Sequence, residues 1–209
     1  MIKVIHRVNK IEQLKSVPKR YGVEVDVRAQ DNKLILSHEP FEGGDELKEY
    51  LAAFNHAFII LEIKEEGIEK AVIKLCKSYD IENYFLLNVS FPFTYLLSKK
   101  GIRKMALRYS EFESIKTCLS MAGRVDWVWA DTFTCNPLNR KSYELLKAAG
   151  FKICLVCPER WGREHDIETR GAAIIWDVLI KIWTQHSELF LWGIGLMILA
   201  FLTLRISKV

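Results

Sequence analysis

Apolar and polar positions along the chain follow two alternating periods. Short runs rich in apolar and β-branched residues read as strands: IKVIHRV from Ile2, GVEVDVRA, HAFIILEIK, NYFLLNV, KMALRYS, VDWVWADTF and FKICLVCPE. A further run, KLILSHEP, is joined to the second by the turn Asp31-Asn32. Between the runs lie stretches with helical spacing. KIEQLKSVPKRY is interrupted by Pro18, and DELKEYLAAF carries Leu47, Tyr50, Leu51 and Phe54 on one face. GIEKAVIKLCKSY, FPFTYLLSKKG, EFESIKTCLSMAG and NRKSYELLKAAG follow, the last three stopping on Gly101, Gly123 and Gly150.

Strands alternating with helices of this length predict right-handed βαβ units around a parallel sheet. Seven units are visible, which points to an α/β chain folded as a compact (βα)8 TIM-type barrel. The eighth strand has one candidate, WDVLIKIW from Trp176 to Trp183, which reads equally well as helix. A doubly wound open sheet is the alternative, but it calls for a glycine-rich loop after the first strand. Here that strand runs into HRVNK, without a glycine.

Composition adds one limit and one exception. With 209 residues, 50% hydrophobic and 27% charged, the chain can build a full core. A net charge of +4 is too mild to argue for nucleic acid. The five cysteines are odd in number and sit mostly in apolar runs, so a reducing, cytoplasmic compartment is expected; Cys154 and Cys157 read as buried thiols. The exception is Leu189 to Leu204, LFLWGIGLMILAFLTL, which holds no charge and no polar face. As an apolar C-terminal helix it would rise about 24 Å, just short of the hydrocarbon core. We therefore expect a barrel domain over 1–186 and an apolar tail over 187–209 that associates with a membrane. Arg205 and Lys208 would favour a cytoplasmic C-terminal end, which opposes the cysteine argument and leaves orientation open.

The ionisable residues gather where the predicted strands end, the face on which barrels of this kind place their chemistry. Strand one ends in His6 and Arg7. Strand two carries Glu24 and Asp26, whose spacing of two puts both on one face. His38 follows on the extension, and the next strand carries Glu62 and Lys64. Later ends offer Arg108, Asp131 and Glu159. Three carboxylates converging on one point would repel, unless a hard divalent cation, Mg2+ or Ca2+, took them as oxygen ligands. Two histidines beside it could exchange protons, and Arg7 and Lys64 could hold an anion. Each residue also has a plain reading: a structural histidine, a solvated strand face, an ordinary Glu62–Lys64 ion pair.

In order along the chain, His6-Arg7, Glu24-Val25-Asp26, His38 and Glu62-Ile63-Lys64 resemble the motifs of the glycerophosphodiester phosphodiesterase family, whose fold is a (βα)8 barrel. The resemblance implies that His6 and His38 are the acid–base pair, that Glu24, Asp26 and Glu62 bind the divalent cation, and that Arg7 and Lys64 contact phosphate. The motifs lie within residues 2–64; beyond Asn83 the match rests on the βα rhythm and on Ser90-Phe91. Val8 stands where the family has glycine, and Glu39 where it has aspartate. The family's small insertion after the second histidine is missing, since Asp45 to Phe54 reads as a plain barrel helix. With it goes the basis for glycerol specificity, so lipid head groups or glycan-linked phosphates become candidate substrates. Asp131, and Glu159 and Trp161 in the loop CPERWGREH, are candidate substrate contacts, with Arg160, Arg163 and His165 nearby. The expected function is a metal-dependent phosphodiesterase; the alternative is a non-catalytic phosphate- or head-group-binding module at a membrane.

Overall fold

Among the described residues eight parallel strands carry the molecule, formed by the seven apolar runs that open the βα units and by the run ending at Trp183. They are β1 (Lys3–Ile5), β2 (Gly22–Gln30), β5 (Phe58–Ile63), β6 (Tyr84–Leu87), β7 (Ala106–Tyr109), β8 (Trp127–Ala130), β9 (Lys152–Val156) and β10 (Leu179–Trp183). The structure is a computed structural model describing residues 2–163 with their side chains, and the backbone of 179–183. The ladder runs β7-β8-β9-β10-β1-β2-β5-β6. Between β6 and β7 there is no regular ladder; a single parallel bridge, Leu86 to Met105, and the Leu86 N–H to Lys104 C=O bond at 2.9 Å join them. The undecided run at 176–183 contributes a strand between β9 and β1.

The strands are buried on both faces, as parallel strands covered by helices must be. Period two sorts their side chains into two cores. Val4, Phe58, Ile60, Phe85, Leu87, Ala106, Trp127, Trp129, Cys154 and Val156 form an inner cluster enclosed by the strands. Val23, Val25, Val27, Ile59, Leu61, Ile63, Leu86, Leu107 and Val128 face outward and pack under the helices. That parity positions the site. Counting on from the inner residues in steps of two gives His6 after Val4, Arg108 after Ala106 and Asp131 after Trp129, while Glu24, Asp26 and Glu62 hold inner positions of β2 and β5.

The covering helices are α1 (Ile11–Ser16), α2 (Leu47–Ala53), α3 (Glu69–Ser78), α4 (Phe91–Ser98), α5 (Ile115–Ser120) and α6 (Arg140–Ala148). Two differ from the sequence expectation. The stretch from Asp45 is not helical throughout. Asp45–Glu46 form a short strand, β4, antiparallel to β3 (Lys33–Leu36), and the Asp45 carboxylate accepts the Ile11 N–H at 2.7 Å. Helix α5 begins later than its apolar pattern suggests, because Ser110 and Glu113 close a turn ahead of it and Ser114 accepts the Lys116 N–H.

The hairpin β2–β3 places the second histidine. Asp31 and Asn32 both take left-handed backbone conformations, φ 48° and 62°, giving the tight turn that matches strand twist. β3 then returns along β2 and delivers His38 to the C-terminal end of the parallel strands. Cys76, Cys118, Cys154 and Cys157 are buried as expected, and burial pushes the Cys76 and Cys118 thiols up to about 12. Among the described residues no helix is long and apolar enough to cross a membrane. The tail over 187–209 and His165 lie outside the described residues.

Candidate active site

The C-terminal ends of β1, β2 and β5 bring His6, Glu24 and Glu62 together. All three are buried, and each offers a ligand atom lying within 4.8 Å of the others. His6 Nε2 lies 3.5 Å from Glu24 Oε2. The backbone after β1 turns sharply there: Arg7 has φ 56°, a left-handed conformation uncommon outside glycine. The turn aims the Arg7 N–H at Glu24 Oε2, 2.7 Å away. Val8, in the place of a family glycine, bonds the Glu24 carbonyl at 2.9 Å and buries its side chain in the outer core.

Asp26 is held differently. Its Oδ1 pairs with Lys64 Nζ at 2.8 Å, and its Oδ2 accepts from Asn9 Nδ2 at 2.7 Å. Asn9 also accepts the Asp26 N–H through its own Oδ1, at 2.9 Å. Lys64 bridges to Glu62 Oε1 at 2.6 Å, and Asn88 donates to the same oxygen at 2.9 Å. The Glu62–Lys64 pair is thus an ion pair and a member of the site at once.

The charges are distributed unevenly. Burial, with the negative charges of Asp26 and Glu62, holds the Glu24 carboxyl well above the usual carboxylate range. Burial would raise Glu62 too, but the Lys64 ammonium outweighs it and holds Glu62 below that range. Lys64 loses to burial and regains more from Glu62 and Asp26, so it stays charged. Burial and the nearby cations Arg160 and Arg7 push His6 down to about 3, leaving a neutral imidazole at physiological pH.

His38 sits at the rim, a third of its side chain exposed. Its Nε2 is 2.6 Å from Arg7 Nη2 and its Nδ1 is 2.5 Å from Glu39 Oε1. A guanidinium can only donate, so Nε2 accepts and Nδ1 carries the proton that Glu39 receives. Glu39 therefore fixes the tautomer of the ring. Arg28 holds the His38 carbonyl at 3.0 Å, and Ser37 N–H bonds the Asp26 carbonyl at 3.0 Å.

Across the mouth, Asp131 anchors a second network. Its carboxylate accepts from Arg108 Nη2 at 2.8 Å, Thr132 N–H at 2.9 Å, Trp161 Nε1 at 3.0 Å and Trp129 Nε1 at 3.1 Å. Arg108 also bonds Asn88 Oδ1 at 3.0 Å, linking this network to Glu62. Glu159 and Trp161 lie on a 3-10 turn, Pro158–Trp161, that follows β9. Sequence reasoning passed over Asn9, Asn88 and Glu39 as functional residues. The signal for Asn88 was its place as a lone polar residue ending the apolar run YFLL; Asn9 and Glu39 had none beyond adjacency to the motifs.

A divalent cation fits this site. Glu24 Oε1 and His6 Nε2 are buried without an ordinary hydrogen-bond partner, a condition that calls for an explanation such as an ion. Carboxylate oxygens are the donors a hard divalent cation takes, and Glu24 and Glu62 supply them with the His6 imidazole alongside. The ligand atoms that come together are those of His6, Glu24 and Glu62, while Asp26 Oδ2 is held by Asn9 and its Oδ1, also without a hydrogen-bond partner, lies 2.8 Å from Lys64 Nζ.

No family model matches the chain, and no curated protein matches it. Solved structures do. A chain from Agrobacterium tumefaciens C58 assigned as a glycerophosphoryl diester phosphodiesterase aligns with a TM-score of 0.63 at 13% identity, over 94% of this chain and 99% of its own. A glycerophosphodiester phosphodiesterase from the same organism aligns at 0.57 and 14% identity, covering 91% and 97%. A glycerophosphoryl diester phosphodiesterase from Parabacteroides distasonis aligns at 0.54 and 12%, covering 86% and 82%. The chain has the fold of these proteins.

Proposed function

We propose that the chain is a metal-dependent phosphodiesterase, built as a (βα)8 barrel, that hydrolyses a glycerophosphodiester-like or related phosphodiester by His6/His38 acid–base catalysis. The observation that carries the reading is the convergence of His6, Glu24 and Glu62 at one strand end, with His38 oriented beside Arg7. The fold shared with glycerophosphoryl diester phosphodiesterases supports it. Glu24 and Glu62 would hold the ion, with Asp26 a further carboxylate beside them, and His6 stands next to Glu24 as the proton acceptor. A bound Mg2+ or Ca2+ supplies Lewis acidity toward a phosphoryl oxygen.

The chain's own groups account for the rest. An anionic substrate takes over the Arg7 guanidinium, which now rests on His38. That frees Nε2 of His38 as an acceptor, while Glu39 keeps the opposite proton in place. Neutral His6 is in its proton-accepting form. Lys64, fixed between Asp26 and Glu62, presents a permanent positive charge.

The test is hydrolysis of bis(p-nitrophenyl) phosphate and glycerophosphodiesters with Mg2+, Ca2+ or EDTA. His6→Ala and His38→Ala are expected to lower kcat by about 10²–10⁴-fold, and Glu39→Gln by less. Activity that survives both EDTA and His6→Ala overturns the mechanism. Binding without turnover across substrates and metals would instead identify a head-group-binding module.

A further inference from the structure

Five loops at the catalytic end each present an aromatic side chain. Phe41 follows His38, Phe91 follows β6, Phe112 follows β7, Phe133 follows β8, and Trp161 follows β9. Because β6, β7, β8 and β9 are parallel, the last four share one end of the molecule, and Phe41 follows His38, which β3 returns to Arg7 at that same end. Three of the side chains are conspicuously wet: Phe41 is fully exposed, Phe112 is 75% and Phe91 48% exposed. All but Phe41 are also connected. Phe112 and Phe133 rings lie 6.1 Å apart, and Phe133 and Trp161 4.8 Å apart. Phe91 and Phe112 line a common cleft of about 470 Å³ with Arg108. Guanidinium groups are interleaved, Arg108 at 5.7 Å from the Phe133 ring and Arg160 at 5.5 Å from the Trp161 ring.

Exposed apolar patches of this kind mark interaction surfaces. We propose that this aromatic rim docks the catalytic end onto a glycerophospholipid bilayer, so that the site takes its phosphodiester from a lipid head group; this rests on the phosphodiesterase reading. The placement argues for the occupant. The rim flanks the mouth, so a protein seated flat on it would stop the site, whereas a bilayer surface presents phosphodiesters to it. Phenylalanine has no polar tip to hydrogen-bond a partner and gains from entering an acyl phase, while arginine at the same level meets phosphate. Phe41 stands on a left-handed backbone, φ 64°, with its side chain fully exposed. The uncharged run at 189–204 is a second apolar element of the same chain. It would tether the chain near a membrane without orienting the barrel.

The experiment separates docking from tethering. Cys135 is the exposed cysteine among the described residues and is first changed to serine. In that full-length background Phe41→Cys, Phe112→Cys and, at the opposite end of the strands, Lys19→Cys are labelled with an environment-sensitive fluorophore. Vesicles of phosphatidylcholine and phosphatidylglycerol carry nitroxide-labelled lipid. The expected result is several-fold stronger quenching at positions 41 and 112 than at 19. Equal quenching at all three overturns the proposal, since a tail alone would give that. In a second measurement, the double variant Phe41→Asp/Phe112→Asp is expected to lose at least about tenfold of its activity on vesicle phospholipid and to keep its activity on bis(p-nitrophenyl) phosphate. Equal loss on both substrates counts against docking. The label measurement does not depend on turnover, so an inactive chain with deep rim labels refutes the phosphodiesterase reading and not the docking.

Discussion

Replacing Glu24 by glutamine should make the metal-free protein more stable in alkaline buffer and deprive it of stabilisation by metal. Glu24 is wholly buried, and its ligand atom lies within 4.8 Å of that of Glu62. Two ionised carboxylates at 4.8 Å repel by about 3.5 kcal/mol at an effective dielectric of about 20. Burial first, and then repulsion from Asp26 and Glu62, keeps Glu24 protonated in the free protein and its carboxyl well above the ordinary range. A group whose folded pKa is raised contributes stability that is complete below its unfolded value. That contribution is lost as pH rises through the folded value. Glutamine has no proton to lose, and its carbonyl can still accept the Arg7 N–H. In EDTA the two proteins should therefore melt together in mild acid and diverge as pH rises. Near pH 9 we expect a gain of about 1–3 kcal/mol for Glu24→Gln, or roughly 3–10 °C in Tm. Cation at about a hundredfold its Kd should raise the wild-type Tm by roughly 5–10 °C, from about 2.7 kcal/mol of linkage, and should leave the variant nearly unmoved. The assay is thermal unfolding of the full chain in detergent across pH, with EDTA, Mg2+ or Ca2+. A variant less stable than wild type at every pH in EDTA, or equal metal-induced shifts in both, would refute the argument.

Two further predictions concern the scaffold of the site. Arg108→Met leaves Asp131 buried at 2% exposure without its cation, though three N–H donors remain; equilibrium urea unfolding should show a loss of about 2–3 kcal/mol, of which Asp131→Asn in the same chain recovers a substantial part. Phe85→Ala empties the inner core between Phe58 and Trp127, whose rings lie 5.8 and 4.9 Å from it, and should cost about 3–5 kcal/mol by the same measurement, with the outer core intact.

Much of this protein was legible in its sequence because two periods carry independent information. Apolar runs such as FIILEI and YFLL could only be strands buried on both faces, and the helices between them stop where glycine allows a left-handed backbone, at Gly101, Gly123 and Gly150. The ordered motifs Glu24-Val25-Asp26 and Glu62-Ile63-Lys64 were legible for the same reason: a spacing of two keeps side chains on one face whatever the rest of the chain does. Boundaries were less legible where side chains compete with the backbone. Asp45 leaves the helix it was expected to join because its carboxylate is taken by the Ile11 N–H, thirty-four positions away in sequence.

What tertiary structure alone decided is how these charges share one space. The sequence places Glu24, Asp26 and Glu62 on inner positions and says nothing of which will be ionised. Packing buries Glu24 with no cation of its own and gives Asp26 and Glu62 the same lysine. It sets Arg7 against His38, and so fixes a tautomer that no spacing rule contains. It also gathers Phe41, Phe91, Phe112, Phe133 and Trp161, scattered over a hundred and twenty positions, at one end of the molecule. Periodicity is a local property of the chain and survives any fold that respects it. Burial, pairing and charge depend on which distant segments meet, and only the folded arrangement of β1, β2 and β5 determines that.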